Sequence, residues 1–391
     1  MGLKKNLKIL VLGKYYGVVF RGAEIFIQEM TKRWSKKHFC RIVSLSKNEV
    51  ILDKNLRNSA TVERHSYLKT FSSWLKNHKL YFIFKLIPFM RKLVYTNMDY
   101  KFERKVEAEI KKFIPDIIVH QAGPGIQELL NNIKKKEKLN FKSVAVNASG
   151  ICWQELQVAL KRPDIYVCQT PSQLNFIMRY APRTNSVLIP NGADLELFNP
   201  RASKLDVRDI KKISKMKKVE LEHPVIISTA AIEPNKEVDF LIKAVAKLRS
   251  GSMIVTGNGS QKNAIIRLGK KLLGKRFVYL GVVNFNLLPR VYRSGDLFVL
   301  CSKNEPFGNV FIEAMACGIP VISRDEEDRR WMIKNGGFYS KMRDEEELAK
   351  DINYVYLHKK EYKPRQAAKR FSWDAIAKRY ERMFGEEFGR K

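Results

Sequence analysis

Short apolar runs bounded by turn residues recur along the chain at 7–12, 41–45, 116–119, 143–146, 165–168 and 187–189, with segments of helical periodicity between them. Runs without polar alternation predict strands buried on both faces, and their alternation with helices predicts a parallel sheet. A second series follows at 225–228, 253–256, 278–280, 297–300 and 320–323, interleaved with helical patterns such as 238–248 and 309–316. The chain therefore reads as α/β with two Rossmann-like domains. The stretch 190–200, rich in Pro, Asn, Gly and Asp, and the charged residues up to about 222 predict a linker. The domains expected are 1–192, then 193–370, with 371–391 as a closing helix and tail. Open sheets of this kind take ligands beyond the carboxyl ends of their strands, so two facing sheets would place the site in a cleft.

Composition narrows the class further. Among 391 residues, 45% are hydrophobic and 29% charged, which excludes a disordered or low-complexity chain. With 73 Lys and Arg against 40 Asp and Glu, the net charge is +33, so the surface attracts polyanions or an anionic membrane. The basic residues are spread along the chain without a nucleic-acid-binding motif, and no nucleic-acid partner is expected. Cys40, Cys152, Cys168, Cys301 and Cys317 lack the spacing of a disulfide framework or zinc site. The apolar run before Gly13 is too short for a signal peptide, and no run reaches the roughly 18 residues of a spanning helix. A cytoplasmic protein is expected, peripheral on the inner face of the membrane.

One segment breaks the α/β rhythm. Residues 64–98 hold seven basic residues, no acidic residue and eight aromatics, among them Trp74, Phe82 and Phe89. That is the composition of an interfacial membrane-binding element; the plainer alternative is a helix packing its aromatics on the sheet with a solvated basic face.

The stretch 301–321 carries the densest chemistry. It predicts a strand ending near Leu300, a loop through Glu305, and a helix that opens at Pro306 and stops at Gly318. The amides of Phe307, Gly308, Asn309 and Val310 would sit at the positive end of that helix, where a diphosphate is favoured. Glu305 lies at the mouth, and Glu313, between one and two turns in, is within reach of ribose hydroxyls. The plainer alternative is a capping Glu and an ordinary helix Glu.

Glu305-Pro306-Phe307-Gly308 with Glu313 resembles the E-x7-E motif of the GT-B retaining glycosyltransferases of family 4. Other landmarks fall in the same order. Pro190-Asn191-Gly192-Ala193-Asp194 before Phe198 resembles the family's linker, and Gly257-Asn258-Gly259 its GxG turn. Tyr279-Leu280-Gly281-Val282 is similar to the segment beside the donor base, and Phe371-Ser372-Trp373 to the start of the crossing helix. The resemblance covers nearly the whole chain. It implies a GT-B fold whose crossing helix returns to the N-terminal domain, and transfer of a sugar, with retention, from a nucleotide-diphosphate sugar to a glycan or lipid-linked acceptor in cell-surface glycan biosynthesis. It also implies that Lys236 neutralises the departing diphosphate, Glu305 orients the donor sugar and Glu313 binds the ribose, with no metal or cofactor needed.

The chain departs from the family at several points. Ala231 stands where the family usually has an Arg, the better phosphate clamp. In the N-terminal donor loop Gly22 is kept, while Arg21 replaces a Gly and either reaches the phosphate or caps the helix. His120 follows a Pro-Asp strand one residue short of the family's acceptor-side His, whose place is taken by Gln121. Alternation sends these two side chains to opposite faces, so His120 is either a catalytic group or a buried structural one. The charged run 324–330 replaces a customary Gly-Gly turn. These departures keep open a non-catalytic GT-B module that binds nucleotide sugar or nucleic acid.

Overall fold

A computed structural model describes residues 6–14, 16, 22–45, 88–121, 123–214 and 218–388, with side chains left out of account at 88–98 and 387–388. The segment 64–98 thus falls outside the described side chains, and Arg21 outside the described residues altogether. The chain divides into two compact units, Met1–Pro190 with Ala377–Lys391, and Asn191–Ile376.

In the first unit, strands β1 (Lys8–Leu12), β2 (Phe39–Val43), β3 (Ile117–His120), β4 (Lys142–Val146), β5 (Ile165–Cys168) and β6 (Ser186–Leu188) form one sheet in the order β2-β1-β3-β4-β5-β6. Every pairing is parallel, as in Ile9 beside Ile117 and Val119 beside Val144. The helices between are α1 (Gly22–Trp34), α2 (Pro88–Phe113), α3 (Pro124–Glu137), α4 (Trp153–Leu160) and α5 (Pro171–Tyr180). The strands are apolar because helices cover the sheet: Val106 and Ile110 of α2 and Leu130 of α3 pack on Leu10, Leu12 and Ile118.

The second unit repeats the plan with β7 (Val225–Thr229), β8 (Ser252–Thr256), β9 (Phe277–Gly281), β10 (Leu297–Leu300), β11 (Val321–Arg324) and β12 (Gly337–Ser340), in the order β12-β11-β10-β7-β8-β9, again all parallel. Its helices are α6 (Val207–Ser214), α7 (Val238–Ala246), α8 (Lys262–Leu273), α9 (Leu288–Arg293), α10 (Asn309–Ala316), α11 (Glu327–Ile333), α12 (Glu345–Leu357) and α13 (Pro364–Ala368). The last helix, α14 (Trp373–Phe388), contributes to both units.

Three expectations about the fold are corrected. The edge strand β12 is missing from the sequence reading because half-buried Phe338 and Tyr339 make too short an apolar run to register. The helix expected to open at Pro306 opens at Asn309, since Gly308 takes a left-handed conformation (φ 92°) that ends the loop three residues later. The segment expected as a linker packs into the second unit: Phe198 is buried there, and the Ala193 amide donates to the Phe371 carbonyl at 2.9 Å. A Cβ on Gly192 would sit 2.6 Å from the Trp373 ring, which is why the turn needs glycine.

Candidate active site

The carboxyl ends of β7, β8, β10 and β11 send their loops to one edge of the second sheet, the side where open α/β sheets bind ligands. The loop after β7 carries Lys236 and the loop after β10 carries Glu305. Backbone bonding joins them, because the Lys303 amide donates to the Asn235 carbonyl at 2.8 Å. The Lys236 Nζ lies 2.5 Å from Glu305 Oε2 and 3.3 Å from Ser302 Oγ. Both charged side chains are about 15% exposed, so the pair is shielded while remaining open to a small ligand. The structure thus brings together two residues 69 apart in sequence, each expected at the donor site.

Beside this pair runs a second ionic group. Glu237, at the left-handed position that starts α7 (φ 48°), accepts from Arg324 Nη2 at 2.5 Å and lies 2.5 Å from Lys303 Nζ. Next to Lys236, at Glu237, the chain thus gathers a carboxylate and two cations that no spacing in the sequence connects.

Glu313 sits within α10 and is only 7% exposed. Its Oε2 accepts a hydrogen bond from the Tyr292 hydroxyl at 2.8 Å. Burial pushes the carboxyl up to about 7, a rise the Tyr292 hydrogen bond opposes. The same burial, with the negative charge beside it, drives the Tyr292 hydroxyl well above its ordinary value, so it remains a donor. Tyr292 was not found from the sequence, and no local signal links it to a residue 21 positions away.

The remaining expected donor residues have distinct places. Phe307 turns its ring into the core against Phe371, so only its backbone faces the edge. Gly308 caps α10, Asn309 opens it with a buried Oδ1 lacking any partner among the described residues, and Val310 is half-buried. Gly257 and Gly259 are explained by the protein itself: a Cβ on Gly257 would lie 1.8 Å from the Ala230 carbonyl oxygen, and one on Gly259 2.3 Å from that of Ile232. These glycines let the loops after β7 and β8 run in backbone contact. Val282, after β9, is 76% exposed.

In the first unit, Gly22 opens α1 at the carboxyl side of β1. His120 ends the central strand β3 and is 1% exposed, its Nε2 paired with Gln127 Oε1 at 2.8 Å. Gln127 in turn donates to Asn131 at 2.9 Å and to Ser143 at 3.3 Å. Of the two expectations for His120, this geometry is that of the buried structural histidine, because a group acting on an acceptor must reach it. The side-chain amide of Gln121 has no partner at either end among the described residues.

Two parallel six-stranded sheets, each wrapped by helices and the second carrying this charged edge, define a GT-B protein. Residues 209–371 match the family model described as glycosyl transferases group 1. The chain is 27% identical over 296 residues, 68% of its length, to a probable sucrose-phosphate synthase of Thermosipho melanesiensis, covering 63% of that protein. It is 32% identical over 190 residues, 45% of its length, to the D-inositol 3-phosphate glycosyltransferase of Corynebacterium glutamicum, covering 44% of it. The matches thus span less than two thirds of these relatives' own lengths. In fold, the chain resembles the sucrose-phosphate synthase of Thermosynechococcus elongatus (TM-score 0.75, 17% identity, 98% of this chain and 99% of that one). It also resembles Anabaena HepE in complex with UDP and glucose (TM-score 0.70, 17% identity, 97% of this chain and 100% of that one).

Proposed function

We propose that this protein is a retaining glycosyltransferase that moves a sugar from a nucleotide-diphosphate donor to a glycan or lipid-linked acceptor of the cell surface. The observation that carries the reading is the shielded Lys236–Glu305 pair, at 2.5 Å, beside the opening of α10. A departing nucleoside diphosphate gains negative charge, and a fixed ammonium with free helix amides stabilises that charge more than it stabilises the bound donor. In this reading Lys236 exchanges part of its contact with Glu305 for a phosphate oxygen, freeing Glu305 to accept from a hydroxyl of the donor sugar. Glu313 accepts from the ribose. The chemistry calls for no metal, since Lys236 and the amides supply the positive charge. Anabaena HepE, which shares the fold, was solved with UDP and glucose, and such a donor suits this edge.

The acceptor belongs to the first unit, and its lipid-linked form is favoured by 64–98, whose seven basic and eight aromatic residues suit an anionic membrane surface. Incubating the purified chain with a panel of nucleotide sugars, and measuring released nucleotide, tests the activity. Release from none of them, with and without membrane lipid extract, would return the chain to a non-catalytic binding module. NMR of the product's anomeric proton tests retention. Co-sedimentation with anionic vesicles, compared with a variant carrying Lys76, Lys79, Arg91 and Lys92 changed to Glu, tests the membrane element; equal binding by both removes it.

A further inference from the structure

Arg329, in α11, is 2% exposed and lies beneath the loop that carries Glu305. Its Nη2 donates to the Glu305 carbonyl at 2.8 Å and its Nη1 to the Phe307 carbonyl. Its plane also lies over the Phe311 ring, 5.6 Å from the centroid. Two features set it apart from an ordinary structural arginine. First, beside a contact of Nη1 with Met332 Sδ at 3.6 Å, the oxygens its guanidinium donates to are main-chain ones, on alternate residues of one loop. In a trans peptide the N–H points opposite to the C=O, so drawing the Phe307 carbonyl inward turns the Gly308 N–H outward. Pro306, after Glu305, has no N–H to present. Second, its charge is matched only loosely: Glu326 lies 3.9 Å from Nε, Glu305 and Asp328 act on it as further carboxylates, and Nε has no hydrogen-bond partner among the described residues. A buried cation that, among the described residues, hydrogen-bonds to no carboxylate keeps its charge directed at the loop carbonyls it holds. Gly308 is fitted to this arrangement, since a Cβ there would lie 2.7 Å from Arg329 Nη1.

We propose that Arg329 is a positioning residue for anion recognition: by holding the Glu305 and Phe307 carbonyls inward, it aims the Gly308 N–H and the first amides of α10 at a diphosphate and supplies a fixed charge behind them. The inference rests on reading this edge as the donor site and adds to it a residue outside the motif. It also bears on Ala231, because a cation that acts through the loop backbone offsets part of what a direct phosphate clamp would contribute.

The test titrates the full chain, by calorimetry, with UDP, ADP, GDP, inorganic pyrophosphate and the matching free nucleosides. Arg329→Gln and Arg329→Lys are compared with the wild type after circular dichroism confirms their folds. The expected result is a Kd for the preferred diphosphate raised at least tenfold in Arg329→Gln, partial recovery in Arg329→Lys, and nucleoside affinity unchanged. Equal weakening toward nucleotide and nucleoside, no weakening, or failure of both variants to fold would overturn the role. A wild type that binds no nucleotide and no pyrophosphate would overturn the donor reading as well, whereas nucleotide binding that ignores Arg329 would overturn this inference alone.

Discussion

Replacing Glu313 with Gln removes one titrating proton from the second unit while keeping the side chain's shape. With its carboxyl raised from 4.5 to about 7, the folded protein holds a proton between those values that the unfolded chain has released. Stability contributed by that proton is present in full below about 4.5 and is lost as pH rises toward 7. A rise of two to three pH units corresponds to about 3 kcal/mol. The Gln variant has no such loss, so the difference between it and the wild type should move by about that amount in the variant's favour from pH 4.5 to pH 8. For a unit of this size the shift is roughly 6 to 12 °C in melting midpoint. Melting followed by circular dichroism across that pH range measures it. A difference that stays constant with pH would mean burial does not hold the proton. The same carboxyl gives a binding signature: ribose hydroxyls that donate to it favour its charged form, so nucleotide affinity should rise as pH climbs through 7, with a proton released on binding. In Glu313→Gln that dependence should vanish.

Three further outcomes follow from the geometry. Lys236→Ala should lower kcat roughly 100-fold or more with a much smaller change in KM, because the charge it stabilises develops during reaction; a raised KM with kcat intact in steady-state kinetics would assign it to ground-state binding. Gly257→Ala should destabilise the second unit by roughly 2 kcal/mol or more, since φ is 129° and the new methyl meets the Ala230 carbonyl, and an unchanged melting midpoint would contradict the close approach. Tyr380→Ala, which removes a buried ring packed against Trp34 at 5.6 Å, should cost about 3 to 5 kcal/mol in chemical denaturation of the first unit, and a loss confined to the second unit would refute that packing.

The α/β rhythm was legible because buried parallel strands announce themselves as unbroken apolar runs; eleven of the twelve strands lie on such runs. That Lys236 and Glu305 belong to one site was legible through motif resemblance, while their direct ion pair came from the structure. What stayed hidden has a common cause: partners far apart in sequence chosen by topology. Tyr292 meets Glu313 because α9 and α10 pack together, and Arg329 reaches two carbonyls because β11 lies beside β10. The charged run 324–330 was visible as a departure, yet nothing in it distinguishes buried Arg329 from Arg330, which extends outward to Asp325. Burial decides which of two neighbouring arginines acts through the site, and burial belongs to the fold.

Helix α14 has a consequence for how the molecule is made. Tyr380 and Phe384 cover Phe26 and Trp34 of α1, so the first unit's core is finished by side chains that follow the whole second unit in sequence. On the ribosome, domains ordinarily fold in the order they emerge. Here the first unit must wait, with the α1 aromatics uncovered, while the entire second unit is synthesised. A nascent chain halted before Ala377 would carry a completed second unit and an unsealed first one, a target for chaperones, and a stop codon placed between the codons for Ile376 and Tyr380 would damage the unit whose strands were made long before it.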